Sequence, residues 1–297
     1  MEDGLFYWDH SYNKTILLSL VIVIGLFTSL RLFSGIFTHI DPNYELTQKD
    51  NGAFGVSLAG MLFGITLILG GVIPKNWSSS MTQSLTAIVI YGLVGLALLA
   101  FTRRIFDKLV LPNLSIRNEI VRGNMAAAII DAGNVIAAAV VITTLLDWVT
   151  LDSVDNAITL LLVYGMSQAL LTVFGAIHVH FFTKRNQKPK QQELIEGNTA
   201  IAMRFAGRRI GIAYAITGAA NIMVAEVFDP QQLILSWAMI SIVVMVALTA
   251  LSWVASHVIL FGMDVNDEVG RQRNVAIGTL QGVIYISLGI LLSSLIS

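Results

Sequence analysis

The stretch Gly123–Gly133, with the sequence GNMAAAIIDAG, decides the fold because its pattern recurs along the chain. An asparagine begins an apolar segment, and small residues follow it four and eight positions later. A near-constant spacing indicates an internal repeat, so the sequence predicts four copies of one unit. The four copies begin 73, 74 and 76 residues apart, at Asn51, Asn124, Asn198 and Asn274.

The composition excludes the soluble globular class. Of the 297 residues, 55% are hydrophobic and only 12% are charged, whereas about 25% of the residues in soluble domains are charged. The mean hydropathy of +0.74 agrees with a membrane protein. The chain has no cysteine, which excludes disulfides, thiolate metal sites and thiol catalysis.

Eight apolar segments, each able to span a bilayer, are separated by short polar connections. Backbone groups in lipid must be paired within the structure, and no segment alternates like a barrel strand, so the segments are predicted to be helices. The sequence therefore predicts an all-α polytopic membrane protein with eight transmembrane helices in four parallel two-helix pseudo-repeats, divided into four-helix domains at 1–150 and 151–297. The predicted spans are Thr15–Phe37, Gly52–Ile73, Leu85–Phe101, Met125–Leu146, Ala157–Phe182, Thr199–Met223, Leu233–Leu260 and Val275–Ile296.

The lysines and arginines predict the orientation. Twelve lie in the connections after the first, third, fifth and seventh segments, and only Lys14 and Lys75 lie on the other side. The excess of positive charge predicts that the asparagine-led helices start in the cytoplasm and that both termini are periplasmic. The first ten residues lack the basic region and cleavage site of a secretory signal, so the first helix is expected to remain in the mature protein.

The pattern of the third copy, Glu196–Gly207 with the sequence EGNTAIAMRFAG, and of its counterpart Arg122–Gly133 resembles a known family. It is similar to the YjfL-like bacterial inner-membrane proteins, domain of unknown function 350, here as two domains in tandem. The resemblance implies a bacterial inner membrane and supplies no reaction. It also implies an association with membrane-stress genes, and hence peripheral stress-response proteins as partners.

The repeated asparagines are predicted to be helix caps, because asparagine is a preferred N-cap whose side chain accepts a hydrogen bond from the first turn. The functional alternative is a ring of four carboxamides that lines a cytoplasmic vestibule. That alternative requires the helices of Asn51, Asn124, Asn198 and Asn274 to converge on one axis.

The small residues that follow each asparagine are typical of membrane helices that pack closely. Pore lining is the alternative interpretation. If packing is correct, small-residue faces left exposed at the surface suggest a homo-oligomer.

Polar side chains inside the predicted spans are the candidates for function, because such groups are costly at depth. Asp131 and Gln281 lie seven residues after their asparagines, and Ser57 and Arg204 lie six residues after theirs. Since Asp131 and Arg204 lie at similar depths, we expect them to form an ion pair or to line a hydrated cavity together.

Arg204 and Arg208 are four residues apart and share a helix face, which makes them candidates for an anion or lipid-phosphate contact. The alternative for Arg204 is that its side chain extends to the headgroups. His178 is a candidate pH sensor, although a cationic residue near the end of a helix also suits the helix dipole.

The sequence contains no nucleotide-binding loop, catalytic triad or cluster of metal ligands, so no enzyme activity, cofactor, metal or nucleic-acid partner is expected. The basic run Lys184–Lys190 suits the anionic lipids of the cytoplasmic leaflet or an acidic protein. Two functions remain. One is a membrane-stress scaffold that presents basic cytoplasmic turns to lipids or peripheral partners, and the other is a channel or transporter lined by Ser57, Asp131, Arg204 and Gln281.

Overall fold

The computed structural model describes residues 10–38, 40–75, 80–112, 114–149, 153–186, 189–222 and 230–296 of the chain. These residues form helices and short connections, and none of them belongs to a β-strand. The predicted all-α class is confirmed.

In the described residues, long helices occur in pairs that are joined by a helix of six residues. The sequence predicted the long helices but treated the six-residue helices as polar turns. The bounds are α1 His10–Thr38, α2 Pro42–Thr47, α3 Gly52–Lys75, α4 Met81–Ile105 followed by a π-helical turn Phe106–Val110, α5 Ile116–Val121, α6 Met125–Trp148, α7 Val154–Asn186, α8 Lys190–Ile195, α9 Thr199–Asn221, α10 Pro230–Ile259, α11 Val265–Gly270 and α12 Val275–Ile296.

Seven of the described helices are long and apolar enough to cross a membrane: α1, α3, α4, α6, α7, α10 and α12. The predicted span Thr199–Met223 corresponds to α9, and Met223 lies outside the described residues. With 23 residues α9 is long enough, but it carries three arginines within six positions, so its composition differs from that of the seven. These arginines are Arg204, Arg208 and Arg209.

The long helices pack in two rows. The inner row contains α3, α6, α9 and α12 in that order, and each helix contacts the next. The outer row contains α1, α4, α7 and α10. Of these, α4, α7 and α10 each contact two neighbouring inner helices, whereas α1 contacts α3 and α4. Because α6 and α9 have neighbours on both sides, they contribute most of the buried alanines and glycines of the core.

Small residues bring the inner helices into backbone contact. A Cβ built on Gly60 would lie 2.5 Å from the Cβ of Ala132, and a Cβ on Gly133 or Gly207 would overlap the next helix in the same way. In lipid, helix association depends on such close packing, because the acyl chains are as apolar as the side chains. The stripe of small residues therefore packs one helix against the next.

Each repeated asparagine caps its helix. The Oδ1 atom of Asn124 accepts hydrogen bonds from the amides of Ala126 and Ala127 at 3.0 and 3.3 Å, and the other three asparagines make equivalent bonds. The inner helices lie in a row and do not surround one axis, and the carboxamides are engaged at the helix starts. This arrangement contradicts the alternative of a carboxamide-lined vestibule at Asn51, Asn124, Asn198 and Asn274.

The six-residue helices supply a partner that the sequence analysis missed. The Nδ2 atom of each asparagine donates to a glutamate of the preceding short helix at 2.7 to 3.1 Å, and three of the asparagines also donate to main-chain carbonyls of the following short helix. Each of these three side chains joins two neighbouring units. The glutamates, five or six residues before each asparagine, are Glu45, Glu119, Glu193 and Glu268.

Candidate functional site

The polar side chains predicted inside the spans divide between two places. The first is a partly buried ion pair between α4 and α6. Arg103 donates to both carboxylate oxygens of Asp131, from Nε at 2.9 Å and from Nη2 at 2.6 Å. The Oγ atom of Ser57 on α3 donates to the same carboxylate at 2.5 Å. Side chains from three helices therefore meet at Asp131, and only 3% of the surface of Asp131 is exposed.

The expected pair between Asp131 and Arg204 is not formed, because Arg103 and Ser57 occupy both oxygens of the Asp131 carboxylate. The sequence predicts that Arg103 lies in a polar connection, whereas α4 extends to Ile105 and carries Arg103 within its last turn. Two parallel hydrogen bonds between a guanidinium and a carboxylate form a strong pair. The cluster therefore holds α3, α4 and α6 together, which is a structural role.

The second place is a pocket of about 140 Å³ between α7, α8, α9 and α11. Four of its lining side chains carry or can carry positive charge, and none of its lining residues is acidic. The lining residues are His178, Phe181, Phe182, Lys190, Ile201, Arg204, Phe205, Arg208 and Asn266.

Lys190 is the most unusual member of this pocket. It is the first residue of α8, only 4% of it is exposed, and its Nζ atom lies 4.3 Å from the centroid of the Phe205 ring. Burial lowers the pKa of Lys190 well below its ordinary value, and the positive charges of Arg208 and Arg204 lower it further. The folded protein thus keeps a lysine where burial and two arginines oppose its charge.

Arg204 and Arg208 lie one turn apart on α9, and both line the pocket. The Nη1 atom of Arg204 donates to Oδ1 of Asn266 on α11 at 3.4 Å, so this side chain turns toward α11. The guanidinium carbon of Arg208 lies 4.6 Å from the centroid of the Tyr285 ring, and its buried Nε has no hydrogen-bond partner among the described residues. A buried donor without an acceptor is costly, and an anion in the pocket would supply one.

His178 completes the pocket from α7. Its Nδ1 atom lies 2.7 Å from the carbonyl oxygen of Phe174, one turn earlier on the same helix. Because a carbonyl oxygen can only accept, Nδ1 is the donor, and Nε2 of the neutral ring is an acceptor that could donate to an anion only after protonation. Together, the two guanidinium groups and the ammonium can surround an oxyanion, and His178 forms one wall of the pocket.

Gln281 and Arg209 belong to neither place. Gln281 is buried in α12, and its Oε1 has no hydrogen-bond partner among the described residues. Arg209 donates to Oδ1 of Asn134 at 2.7 Å and to the carbonyl of Leu171 at 3.0 Å. Arg209 therefore links α9 to α6 and α7 through neutral acceptors.

The arginines of the pocket are predicted from the sequence, whereas Lys190 is not, because in the sequence it is the end of a basic run. A signal was present, since Pro189 precedes Lys190 and three polar residues separate it from the apolar pair Leu194-Ile195. Such a pattern is typical of a short amphipathic helix that follows a proline. Among the described residues, no group of three or more His, Asp or Glu side chains could hold a metal ion.

Comparison with protein families identifies the chain. The model described as Domain of Unknown Function (DUF350) matches it twice, over residues 6–146 and 152–296. No match was found among the curated proteins or among the solved structures. The two matches cover almost the whole sequence, and each includes two of the asparagine-led helices. The chain belongs to the DUF350 family and carries two copies of its domain in tandem.

Proposed function

We propose that this protein is a bacterial inner-membrane scaffold that binds a phosphate-bearing anion, the headgroup of an acidic lipid, in the pocket between α7, α8, α9 and α11. The observation that carries the proposal is the convergence of Lys190, Arg204, Arg208 and His178 on one cavity with no acidic lining residue. Positive charges that line the same pocket repel one another, and the charges of Arg208 and Arg204 oppose that of Lys190, so an anion bound there would relieve the repulsion.

A phosphate group suits this pocket for two reasons. Guanidinium groups bind oxyanions through two donors in a fixed plane, and a lysine adds a compact charge from another direction. The cavity of about 140 Å³ also has room for a tetrahedral oxyanion and ordered water.

A lipid is the proposed source of the phosphate because Phe181, a lining residue from α7, is 63% exposed and presents an apolar ring at the surface. Cytoplasmic leaflets carry anionic headgroups that attract clustered lysines and arginines. A headgroup could thus enter from the side of the molecule while its acyl chains remain in the bilayer.

The topology belongs to the same proposal. We place α9 as an eighth span, because α6, α7, α10 and α12 surround it and keep its arginines away from lipid. Four parallel two-helix repeats then cross the inner membrane, with the six-residue helices in the cytoplasm and both termini periplasmic. The excess of lysine and arginine beside those short helices supports this orientation.

The scaffold has no enzymatic activity in this proposal, and its cytoplasmic end would present bound lipid and basic connections to peripheral stress-response proteins. The alternative, a channel or transporter, requires Ser57, Asp131, Arg204 and Gln281 to line one path. Ser57 and Asp131 are engaged with Arg103, while Arg204 lies in the pocket and Gln281 is separate from both. No observation favours that path.

Thermal unfolding of the purified protein tests the proposal. Inorganic phosphate or sulfate in detergent, and phosphatidylglycerol in nanodiscs, should each raise the Tm of the wild type, since a ligand at about 100 times its Kd stabilises by about 2.7 kcal/mol. Lys190→Gln and Arg208→Gln should lose this response while keeping or raising the Tm without ligand, because the first removes a buried amine whose charge the pocket disfavours and the second removes a positive charge beside Arg204. Lys108→Gln, at an exposed lysine, is the control and should respond like the wild type.

Each arm of the experiment has a decisive outcome. Stabilisation by phosphate but not by phosphatidylglycerol would show that the site takes a free anion instead of a lipid. A wild type that responds to neither, or a Lys108→Gln variant that loses as much as the pocket variants, would overturn the proposal. If the pocket variants lower the Tm without ligand, the cations are structural.

A further inference from the structure

The inner row of helices uses one contact three times. The front face of each inner helix is the side toward the next helix of the row, and it contains the residues nine, thirteen and twenty positions after the asparagine. The back face is the side toward the preceding helix, and it contains the residues eight, fifteen and nineteen positions after the asparagine. Toward the end of the helices a Cβ on Gly71 would overlap Thr143, and a Cβ on Gly218 would lie 2.8 Å from the Cα of Ser293. The front face of one helix always packs on the back face of the next.

The first helix of the row has an open back face. Ala59, Thr66 and Gly70 of α3 are exposed, and a Cβ added to Gly70 would meet no atom within 4 Å. The residues equivalent to Thr66 on α6 and α9, Ala139 and Ala213, are fully buried at 0% exposure. The surface that is buried three times inside the molecule, on α6, α9 and α12, is therefore uncovered on α3.

The last helix of the row has an open front face. Val283 is 50% exposed, and Ser287 and Ser294 are also exposed. The residues equivalent to the first two on α9, Gly207 and Gly211, are buried. The row thus has an open back face on α3 and an open front face on α12. These two kinds of face pack against each other at every junction inside the row.

The hydrogen bonds between neighbouring units also lack a partner at each end of the row among the described residues. Asn198 donates to the carbonyls of Val269 and Gly270 in the following short helix, whereas Asn274 donates only to Glu268 among the described residues. At the opposite end of the row, α2 carries the two matching carbonyls. Those of Leu46 and Thr47, one and two residues after Glu45, accept no hydrogen bond from the described residues.

We infer that a second copy of this chain continues the row, with the back face of its α3 on the front face of α12 and its α2 carbonyls above Asn274. This contact joins two different surfaces, so it is head-to-tail. The open small-residue faces gain little from lipid, whereas helix packing gives them close contacts. The occupant follows from continuity with the three contacts that already exist within the chain.

Val283 makes the interchain contact different from the internal ones. It stands at the position of Gly60, Gly133 and Gly207, and its side chain would keep α12 farther from the next backbone than those glycines allow. A wider spacing loses part of the packing between backbones. The contact between chains should accordingly be weaker than the contacts within one chain, so dissociation should leave the folded monomer intact.

Disulfide cross-linking in native membranes tests the inference, and the absence of cysteine provides a clean background. The residue thirteen positions after one asparagine lies beside the residue fifteen positions after the next asparagine, since a Cβ on Gly289 would lie 2.9 Å from the Cα of Gly211. Thr66 and Ser287 are the corresponding residues of the two open faces. Two tagged copies, one with Thr66→Cys and one with Ser287→Cys, should therefore form a mixed dimer on oxidation.

The controls separate this contact from random collision. Val243→Cys, at a position of α10 that is 68% exposed, replaces Ser287→Cys and should give at least tenfold less product. Ser287→Trp should abolish association measured by native mass spectrometry in nanodiscs, whereas Val243→Trp should not. Equal cross-linking of Thr66→Cys with itself, or a wild type that is monomeric at every concentration and gives no mixed dimer, would overturn the inference.

Discussion

Arg103 and Asp131 form a two-bond ion pair between α4 and α6, with distances of 2.9 and 2.6 Å, and Ser57 adds a third helix through the same carboxylate. The two residues lie 28 positions apart in the chain. This pair holds an outer helix against two inner ones, and its carboxylate is buried where an unpaired charge is expensive.

Removal of one member of this pair should destabilise the protein more than removal of both. We expect Asp131→Ala to cost about 3 kcal/mol, the lower end of the range for buried pairs, because it leaves the partly exposed charge of Arg103 without its partner. The double variant Asp131→Leu with Arg103→Met should recover most of that loss. Chemical unfolding in detergent measures both, and a double variant as unstable as the sum of its single changes would contradict this account.

The sequence could predict features that depend on one helix at a time. The asparagine caps of Asn51, Asn124, Asn198 and Asn274 and the small-residue stripe that includes Gly60 and Gly207 are local patterns with a helical period. A cap needs only the first turn of its own helix, and a small residue is small whatever it contacts. The regions of the long helices and their close packing could therefore be anticipated.

The partner of Asp131 could not be predicted in this way. Residues at similar depth point in different directions, because each step along a helix rotates the side chain by about 100°. Asp131 and Arg204 differ by one position in the repeat, so Asp131 faces Arg103 while Arg204 faces the pocket and Asn266. The pair depends on the rotation and neighbours of each helix, which the spacing of residues does not specify.

Close packing at Gly207 makes that position intolerant of side chains. A Cβ there would overlap the backbone of Gly282, and backbone atoms cannot move aside as the end of a side chain can. We expect Gly207→Leu to separate α9 from α12 and to lower stability by about 3 kcal/mol or more. Gly165→Leu is the matched control, since Gly165 is exposed and has nothing within 4 Å of its Cβ position. Equal thermal stability of the two variants in detergent would count against the packing.

The repeated asparagines cap helices and also donate hydrogen bonds to glutamates, and replacement by aspartate should distinguish these two roles. Asparagine and aspartate are nearly equivalent N-caps, so a simple cap should accept Asn198→Asp at little cost. Here Nδ2 of Asn198 donates to Glu193 at 3.0 Å, and an aspartate would place a second carboxylate beside that glutamate. We therefore expect Asn198→Asp to be less stable than Asn198→Ala at neutral pH.

The control for this experiment is Asp264, which caps α11 by accepting from the amides of Asn266 and Asp267. Asp264→Asn should leave thermal stability nearly unchanged, because that cap uses only an acceptor. If Asn198→Asp is as well tolerated as Asp264→Asn, the contact with Glu193 contributes nothing to the fold.

The lowered pKa of Lys190 predicts how anion binding depends on pH. In the empty pocket burial and two arginines favour neutral Lys190, whereas a bound anion favours the ammonium, so binding takes up a proton. Affinity should be constant below the lowered pKa and should fall above it, by at most about tenfold per pH unit, up to the higher pKa of the bound state. Sulfate is the probe to use, because its own charge is constant over this range. Calorimetry should give this fall for the wild type, and Lys190→Gln should bind more weakly with a shallower profile; identical profiles would exclude Lys190 as a ligand of the anion.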